Sequence, residues 1–245
     1  MRYLYADEKR SYEDYASGRV LYNMPGAAPF SVRLGDEVFQ RCRAVLLKKG
    51  LQGPYYIYDP CCGGAYTLTV LGFLHNDKIK KIIASDIEPA MISLAERNLS
   101  LLSMDGLIQR INQIEHLIDK YNKDSHKDAL ESALRLKNII CMNKRDIETD
   151  YFLANAAELV THKSKLNDID MIITDIPYGR ITSWSEMNSE DDCVSVLLES
   201  LHKIISSHTV IAIISDKKQK FAHDAYRRIE HFNAGKRRVT ILELL

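Results

Sequence analysis

The chain has 245 residues, 46% hydrophobic and 27% charged, with 33 Lys and Arg against 33 Asp and Glu. Length and composition fit one soluble α/β domain spanning 1–245 that carries an extension or an insertion. No apolar run approaches the length of a bilayer span, and MRYLYADEKR lacks the apolar core of a signal peptide, so no membrane partner is expected. The five cysteines, Cys42, Cys61, Cys62, Cys141 and Cys193, are odd in number and spaced for neither zinc nor a disulfide framework. A reducing cytoplasm and no metal are the expectation. The charge is unevenly spread. Residues 1–50 carry nine Lys or Arg against six acids, residues 216–245 eight against four, and residues 146–215 four against twelve. Two basic ends around an acidic middle suit a nucleic-acid partner, or reflect ordinary fluctuation of surface charge.

Residues 1–50 read as an N-terminal extension. Four tyrosines among alternating charges at 3–15 suit a cap or a helix. Proline and glycine at 24–29 mark a loop. From Leu34 the spacing Val38, Phe39, Cys42, Val45, Leu46 is helical, with Asp36 and Glu37 suited to the dipole of its first turn and Gly50 to its end. Phe30 and Arg33 in the loop 23–33 belong either to a lid over a cofactor or to a connector with a buried ring.

The chain is organised around YYIYDPCCGGAYTL, 55–68. Tyr55 to Tyr58 read as a buried central strand. Asp59 stands at its carboxyl end, Gly63 and Gly64 allow a tight turn, and Leu68, Val70, Leu71 and Leu74 begin a helix. Ligands of open parallel sheets bind outside the carboxyl ends of the strands. A dinucleotide site wants G-x-G-x-x-G, and that spacing is absent. A nucleoside without phosphates, such as S-adenosylmethionine, instead needs a carboxylate for its ammonium, which Asp59 supplies. Ile82 to Ala84 form a second strand. Asp86 lies near its end, placed either to accept from ribose hydroxyls or to cap the helix that Pro89 opens.

Residues 105–140 interrupt the βα rhythm. Leu107, Ile111, Ile114, Ile118 and Tyr121 make one helical stripe, and Leu130, Leu134 and Lys137 a second, across a polar turn at 122–128. This reads as an inserted helical hairpin of mixed charge. YFLANAA at 151–157 is a third strand, with Asn155 at its end facing an adenine edge. DIDMIIT at 168–174 is a fourth. A helix over 194–205, a strand over 209–214, a helix near 222–231 and a strand over 237–244 complete the chain.

The fourth strand ends in Asp175-Ile176-Pro177-Tyr178-Gly179. A carboxylate, a backbone turn held by proline and an aromatic ring meet the needs of methyl transfer to a nucleobase nitrogen. Asp175 accepts from a ring nitrogen or amine, the carbonyl of Ile176 accepts a second hydrogen, and Tyr178 stacks on the base, worth about 1–3 kcal/mol. Positioning then does most of the work. Trp184 is either a second stacking surface or core. Cys61 and Cys62 suit packing better than covalent catalysis.

DPCCGGAYTL, ASDIEP, ANAA and TDIPYG, in this order, resemble the S-adenosylmethionine-dependent class I methyltransferases. SGRVLYNMPGAAPFSVRL, FQR, DPCCGGAYTLTVLGFLH, IASDIEPA, NLSLLS and ITDIPYGRITSW resemble more closely the AviRa-type rRNA methyltransferases, named for avilamycin resistance. The resemblance implies a Rossmann-like, doubly wound, mostly parallel seven-stranded sheet with the hairpin inserted. It also implies S-adenosylmethionine as donor and a guanine of large-subunit 23S rRNA as acceptor. Carried over, Asp59, Cys61, Gly63 and Asp86 hold the cofactor, Asn155 lies near the adenine, and Asp175 to Tyr178 face the methyl and the base; Gly64 and Ile87 are counted with the cofactor site, and Asp175, Pro177 and Tyr178 as catalytic. Ile176 departs from the D-P-P-Y form of amino methyltransferases but keeps the carbonyl. A tRNA guanine, a DNA adenine or a non-catalytic RNA-binding role are the alternatives. The missing third glycine opposes a nicotinamide enzyme.

Overall fold

The structure is a computed structural model that describes residues 3–7, 10–25, 31–143, 146–176, 190–219, 221 and 223–245, with backbone alone over 190–192. Continuous apolar runs become the central strands, because a strand covered on both faces needs no polar alternation. These are β1 (Tyr55–Asp59), β2 (Ile79–Asp86), β4 (Met171–Asp175) and β5 (Val210–Asp216). With β3 (Glu148–Leu153), β6 (Tyr226–Ala234) and β7 (Arg237–Leu244) they make a seven-stranded sheet of order β3-β2-β1-β4-β5-β7-β6. The first five strands pair in parallel, and β7 pairs antiparallel with both β5 and β6.

Alternate side chains divide between two cores. Ile57, Met171, Ile173, Ala212, Val239 and Ile241 face one cluster, while Tyr58, Ile172, Ile211, Ile213 and Leu242 face the other. The first is covered by α1 (Val32–Lys48), α2 (Tyr66–Leu74), α3 (Pro89–Ser100), α4 (Met104–Tyr121) and α5 (Asp124–Cys141). The second is covered by α6 (Glu190–His202) and the 3-10 segment Leu159–Lys165. The expected doubly wound architecture is therefore observed. No helix among the described residues is long and apolar enough to cross a membrane.

Helix α4 starts where Ser103 accepts from the Gly106 amide at 3.1 Å and ends at Asn122, whose φ of 45° suits a left-handed cap. With α5 it makes the expected hairpin. The buried stripe of α5 is Ala129, Ala133 and Leu136, whereas the predicted Leu134 is exposed. Small residues let α5 approach α4 closely, which a leucine there would prevent. The hairpin leans on the N-terminal segment through Arg135 on Asp14 and Arg110 on the carbonyls of Val20 and Arg19.

The described residues of 3–15 form a cap with one 3-10 turn, Glu13–Tyr15, and no α-helix among them. What holds the cap is α1. Glu37, wholly buried, accepts the amides of Leu4, Tyr5 and Ala6 and pairs with Arg41, which reaches Glu230 on β6. Asp36 takes Arg10, Gln40 and His75. Because α1 begins at Val32, these two acids lie beyond the first turn, and their role is to tie down chain rather than to complement a dipole.

Two further expectations are corrected. The third strand runs over 148–153, and Asn155 lies two residues beyond it. The helix expected at 222–231 is instead strand β6. Ala222, Ala225, Tyr226 and Ile229 are spaced like a helix face, but a bulge between Arg228 and Glu230 inserts one residue and shifts the phase of an alternating strand. Pairing along β7 then decides the conformation.

Candidate active site

The parallel register brings the ends of β3, β2, β1 and β4 to one edge. Asp59 pairs with Ala84, Asp86 with Leu153, and Asp175 with Ile214. Asp59, Asp86, Asn155 and Asp175 thus stand along one lip of the sheet, as the sequence leads one to expect.

Asp59 is 6% exposed. It accepts the Cys61 amide at 3.0 Å and meets no cationic side chain among the described residues. Burial pushes its carboxyl up to about 7, with the charges of Asp175 and Asp86 adding to the effect. The hydroxyl of Thr174 pulls the other way from nearby, although it makes no hydrogen bond of good geometry and is itself buried. A buried carboxyl without a counter-ion, beside an unsatisfied hydroxyl, is suited to a cationic ligand.

The glycine turn is held from behind. Asp86 accepts the Gly63 amide at 2.8 Å with one oxygen and the Glu88 amide at 3.0 Å with the other. The N-cap of α3 is Glu88, so Asp86 is not that cap. Asp86 is only half-buried, and each oxygen keeps a lone pair for further donors. Gly63 has φ +52° with open space where a Cβ would stand. Gly64 answers a different need, since a Cβ there would lie 2.4 Å from Leu94 of α3. Asn98, wholly buried on α3, donates to the Gly64 carbonyl at 2.8 Å and also pairs with the backbone of Tyr22. It joins the N-terminal extension to the turn, a role its place in a helical stripe did not reveal.

Ile87, 36% exposed, and Leu153, 50% exposed, present apolar surface beside Asp86. The Asn155 Oδ1 accepts the Ala157 amide at 3.0 Å, and its NH2 group has no partner among the described residues. Cys61 and Cys62 are partly covered, and desolvation pushes both thiols up, so they stay protonated at neutral pH and do not serve as thiolates. The guanidinium of Arg33 donates to the Ala6 carbonyl at 2.7 Å and the Asp7 carbonyl at 2.9 Å, and stacks over Tyr3. Its observed partners are therefore in the N-terminal cap. Phe30, Pro177, Tyr178 and Trp184 lie outside the described residues.

Asp175 closes β4. Its Oδ1 is paired with Arg237, the first residue of β7, and the next amide, Ile176, donates to Ile214 at 2.9 Å. Burial pushes the carboxyl up to about 6 against the pull of Arg237. Nothing in the sequence announces this pair, which spans 62 positions. The only available hint is the run Lys236-Arg237-Arg238 in a basic tail. No group of three or more His, Cys, Asp or Glu suited to a metal lies among the described residues.

A sheet of this strand order, with β7 running against its neighbours and polar side chains ranged along the β1–β4 lip, defines a Rossmann-like methyltransferase. The model for the family described as rRNA methyltransferase AviRa matches residues 1–237. The 23S rRNA (guanine(2535)-N(1))-methyltransferase of Streptomyces viridochromogenes is 35% identical over 245 residues, covering 98% of this chain and 95% of its own. Two solved structures of the rRNA methyltransferase AviRa from that organism match with TM-scores of 0.89 and 0.90 at 33% identity, over 99% of this chain and 96% of theirs. The chain belongs to the AviRa family of rRNA methyltransferases.

Proposed function

We propose that this chain, acting as one domain over 1–245, methylates a guanine base nitrogen of 23S rRNA from S-adenosylmethionine, with N1 favoured by the name of its relative. The observation that carries the reading is the single lip of Asp59, Asp86, Asn155 and Asp175. The cofactor fits that lip. Asp59 would pair with its ammonium, Asp86 accept from its ribose hydroxyls, Ile87 and Leu153 cover its adenine, and Asn155 meet the ring edge. Gly63 leaves the backbone open to approach. When bound, the cofactor supplies an electrophilic methyl group on a sulfonium.

The rest of the chemistry belongs to the chain's own side chains. Guanine N1 carries a proton that must leave as the nitrogen becomes a nucleophile. The Asp175 carboxylate is the acceptor, its Oδ1 held by Arg237 and its Oδ2 open among the described residues. With a carboxyl near 6, Asp175 is ionised at neutral pH yet more basic than an ordinary carboxylate. The carbonyl of Ile176 is a second acceptor for the base, and Pro177 and Tyr178 are assigned to hold and stack it.

The test is calorimetric titration with S-adenosylmethionine, with NAD as control, followed by labelled methyl transfer to protein-free 23S rRNA. Binding of S-adenosylmethionine alone and labelling of guanine are expected. Asp175→Ala should lower kcat by about 100-fold or more while cofactor affinity stays within a few-fold. Full activity of that variant would remove Asp175 from the chemistry. Binding of NAD in place of S-adenosylmethionine would overturn the whole reading.

A further inference from the structure

The antiparallel insertion of β7 has an electrostatic consequence at the active-site lip. Strand β5 ends there, so Lys217 and Lys218, which follow Asp216, lie at the lip. Strand β6 runs parallel to β5 and also ends there, so the Gly235-Lys236 turn and the start of β7 come to the same place. Asp216 pairs with Arg237, and Ser215 with Arg238. Asp175 lies one strand over, opposite Ile214. With strands about 4.8 Å apart and residues about 3.3 Å apart, the β5 end stands roughly 11 Å, and the β6–β7 turn roughly 15 Å, from the candidate catalytic carboxylate.

Lys217, Lys218 and Lys236 are exposed and make no ion pair with an acid among the described residues. Among the described residues, the polar partners of Arg238 are the neutral oxygens of Asn233 and Gln219, at the 3.5 Å limit of hydrogen-bond distance. Of the acids nearby, Asp175 is paired with Arg237, and Asp216, which accepts the Lys218 amide at 2.8 Å, sets a single negative charge against these four cations. The patch therefore shows uncompensated positive charge to one side of Asp175, while the β1–β3 half of the lip, with Asp59 and Asp86, is acidic. A polyanion is drawn to the first half and repelled from the second.

We infer that the β5 end and the β6–β7 turn form a docking platform for the RNA backbone. In it Lys217, Lys218, Lys236 and Arg238 hold the phosphates that flank the target base and so present that base to Asp175. The inference rests on the reading of the chain as an rRNA methyltransferase and names the surface through which that substrate is held. The α4–α5 hairpin, which also carries lysines, is the rival surface. There Lys127 already pairs with Asp124, and acids are interleaved throughout.

The experiment compares three proteins: the wild type, a platform variant (Lys217→Ala, Lys218→Ala, Lys236→Ala) and a hairpin variant that loses the same charge (Lys120→Ala, Lys123→Ala, Lys127→Ala). Protein-free 23S rRNA is the probe, read by methyl transfer and by direct binding across a salt series. The platform variant should keep wild-type affinity for S-adenosylmethionine and a kcat within about twofold. Its KM for RNA should rise roughly tenfold or more, and the slope of log affinity against log salt should fall by about 2–3. The hairpin variant should match wild type in all of these. A platform variant with wild-type KM and salt slope overturns the inference, as does an equal loss in the hairpin variant. A fall in kcat at unchanged KM overturns it too, since the cations would then act in the chemistry. If wild type binds RNA but never methylates it, the function reading fails while the binding series still decides the platform.

Discussion

Asp59 and Asp175 are both carboxyls raised by burial, yet they differ in partner, and the difference predicts different pH behaviour. Arg237 holds the Asp175 carboxyl down to about 6 against its desolvation. Arg237→Met should therefore move the acid limb of the kcat profile from near 6 to higher pH, by roughly 1–3 units. A limb unmoved by that substitution would show that some other group titrates in catalysis. Asp59 has no such cation and stands at about 7. Near neutrality it is about half protonated, and a bound ammonium would hold it ionised. Cofactor binding at pH 7 should then release about 0.5 proton, read as a dependence of the calorimetric heat on buffer ionisation enthalpy. Affinity should rise with pH through about 7, and Asp59→Asn should abolish both effects. Heats that are independent of buffer would take Asp59 out of the ammonium site.

At the scale of elements, the glycine turn is a joint between β1, α2 and α3. The missing Cβ of Gly64 is where Leu94 packs, so Gly64→Ala forces turn and helix apart at a cost of about 1–3 kcal/mol. Gly63→Ala meets no atom and adds only left-handed strain, about 1 kcal/mol. Thermal melts should rank Gly64→Ala below Gly63→Ala. The reverse order would mean that backbone conformation, not contact with Leu94, limits the turn. Asn98 extends the same joint to the N-terminal extension, because its amide satisfies Tyr22 and Gly64 at once. Cap, turn and hairpin are thus mechanically connected, and Tyr22 of the N-terminal extension is tied directly to the glycine turn.

For the whole molecule, two sets of carboxyls pull the stability in opposite directions. Asp36 and Glu37 are held below the ordinary range, against their burial, by His75 and Arg10 and by three backbone amides with Arg41; Asp14 and Glu243 are held low by Arg135 and by Lys49 with Arg227. Their stabilisation is present above that range and is lost as pH falls. Asp59 and Asp175, raised to about 7 and about 6, favour the fold while protonated, and that contribution is lost as pH rises through those values. His75, lowered by burial, opposes them in part. The cofactor-free protein should therefore melt at falling temperature from pH 5 to 7 and level off above. Asp59→Asn should flatten the decline, and a melting temperature that rises over that interval would contradict the assignment. Features written in local order were legible along the chain: apolar runs for β1, β2, β4 and β5, the glycine turn, the helical hairpin, and carboxylates at strand ends. Parallel pairing carries each strand end to one edge, so position along the chain was enough to place Asp59, Asp86 and Asp175 together. Features that depend on distant partners emerged with the packed fold. Strand β6 was hidden because a bulge gave it helical spacing, and its pairing with β7 outweighed that local signal. Arg237 was hidden because its meeting with Asp175 follows from inserting β7 between β5 and β6, and Glu37 because its three amide donors come from a cap whose own residues show no periodicity. Local pattern reports which face of an element is apolar; burial of a charge is settled by whichever remote group arrives to satisfy it.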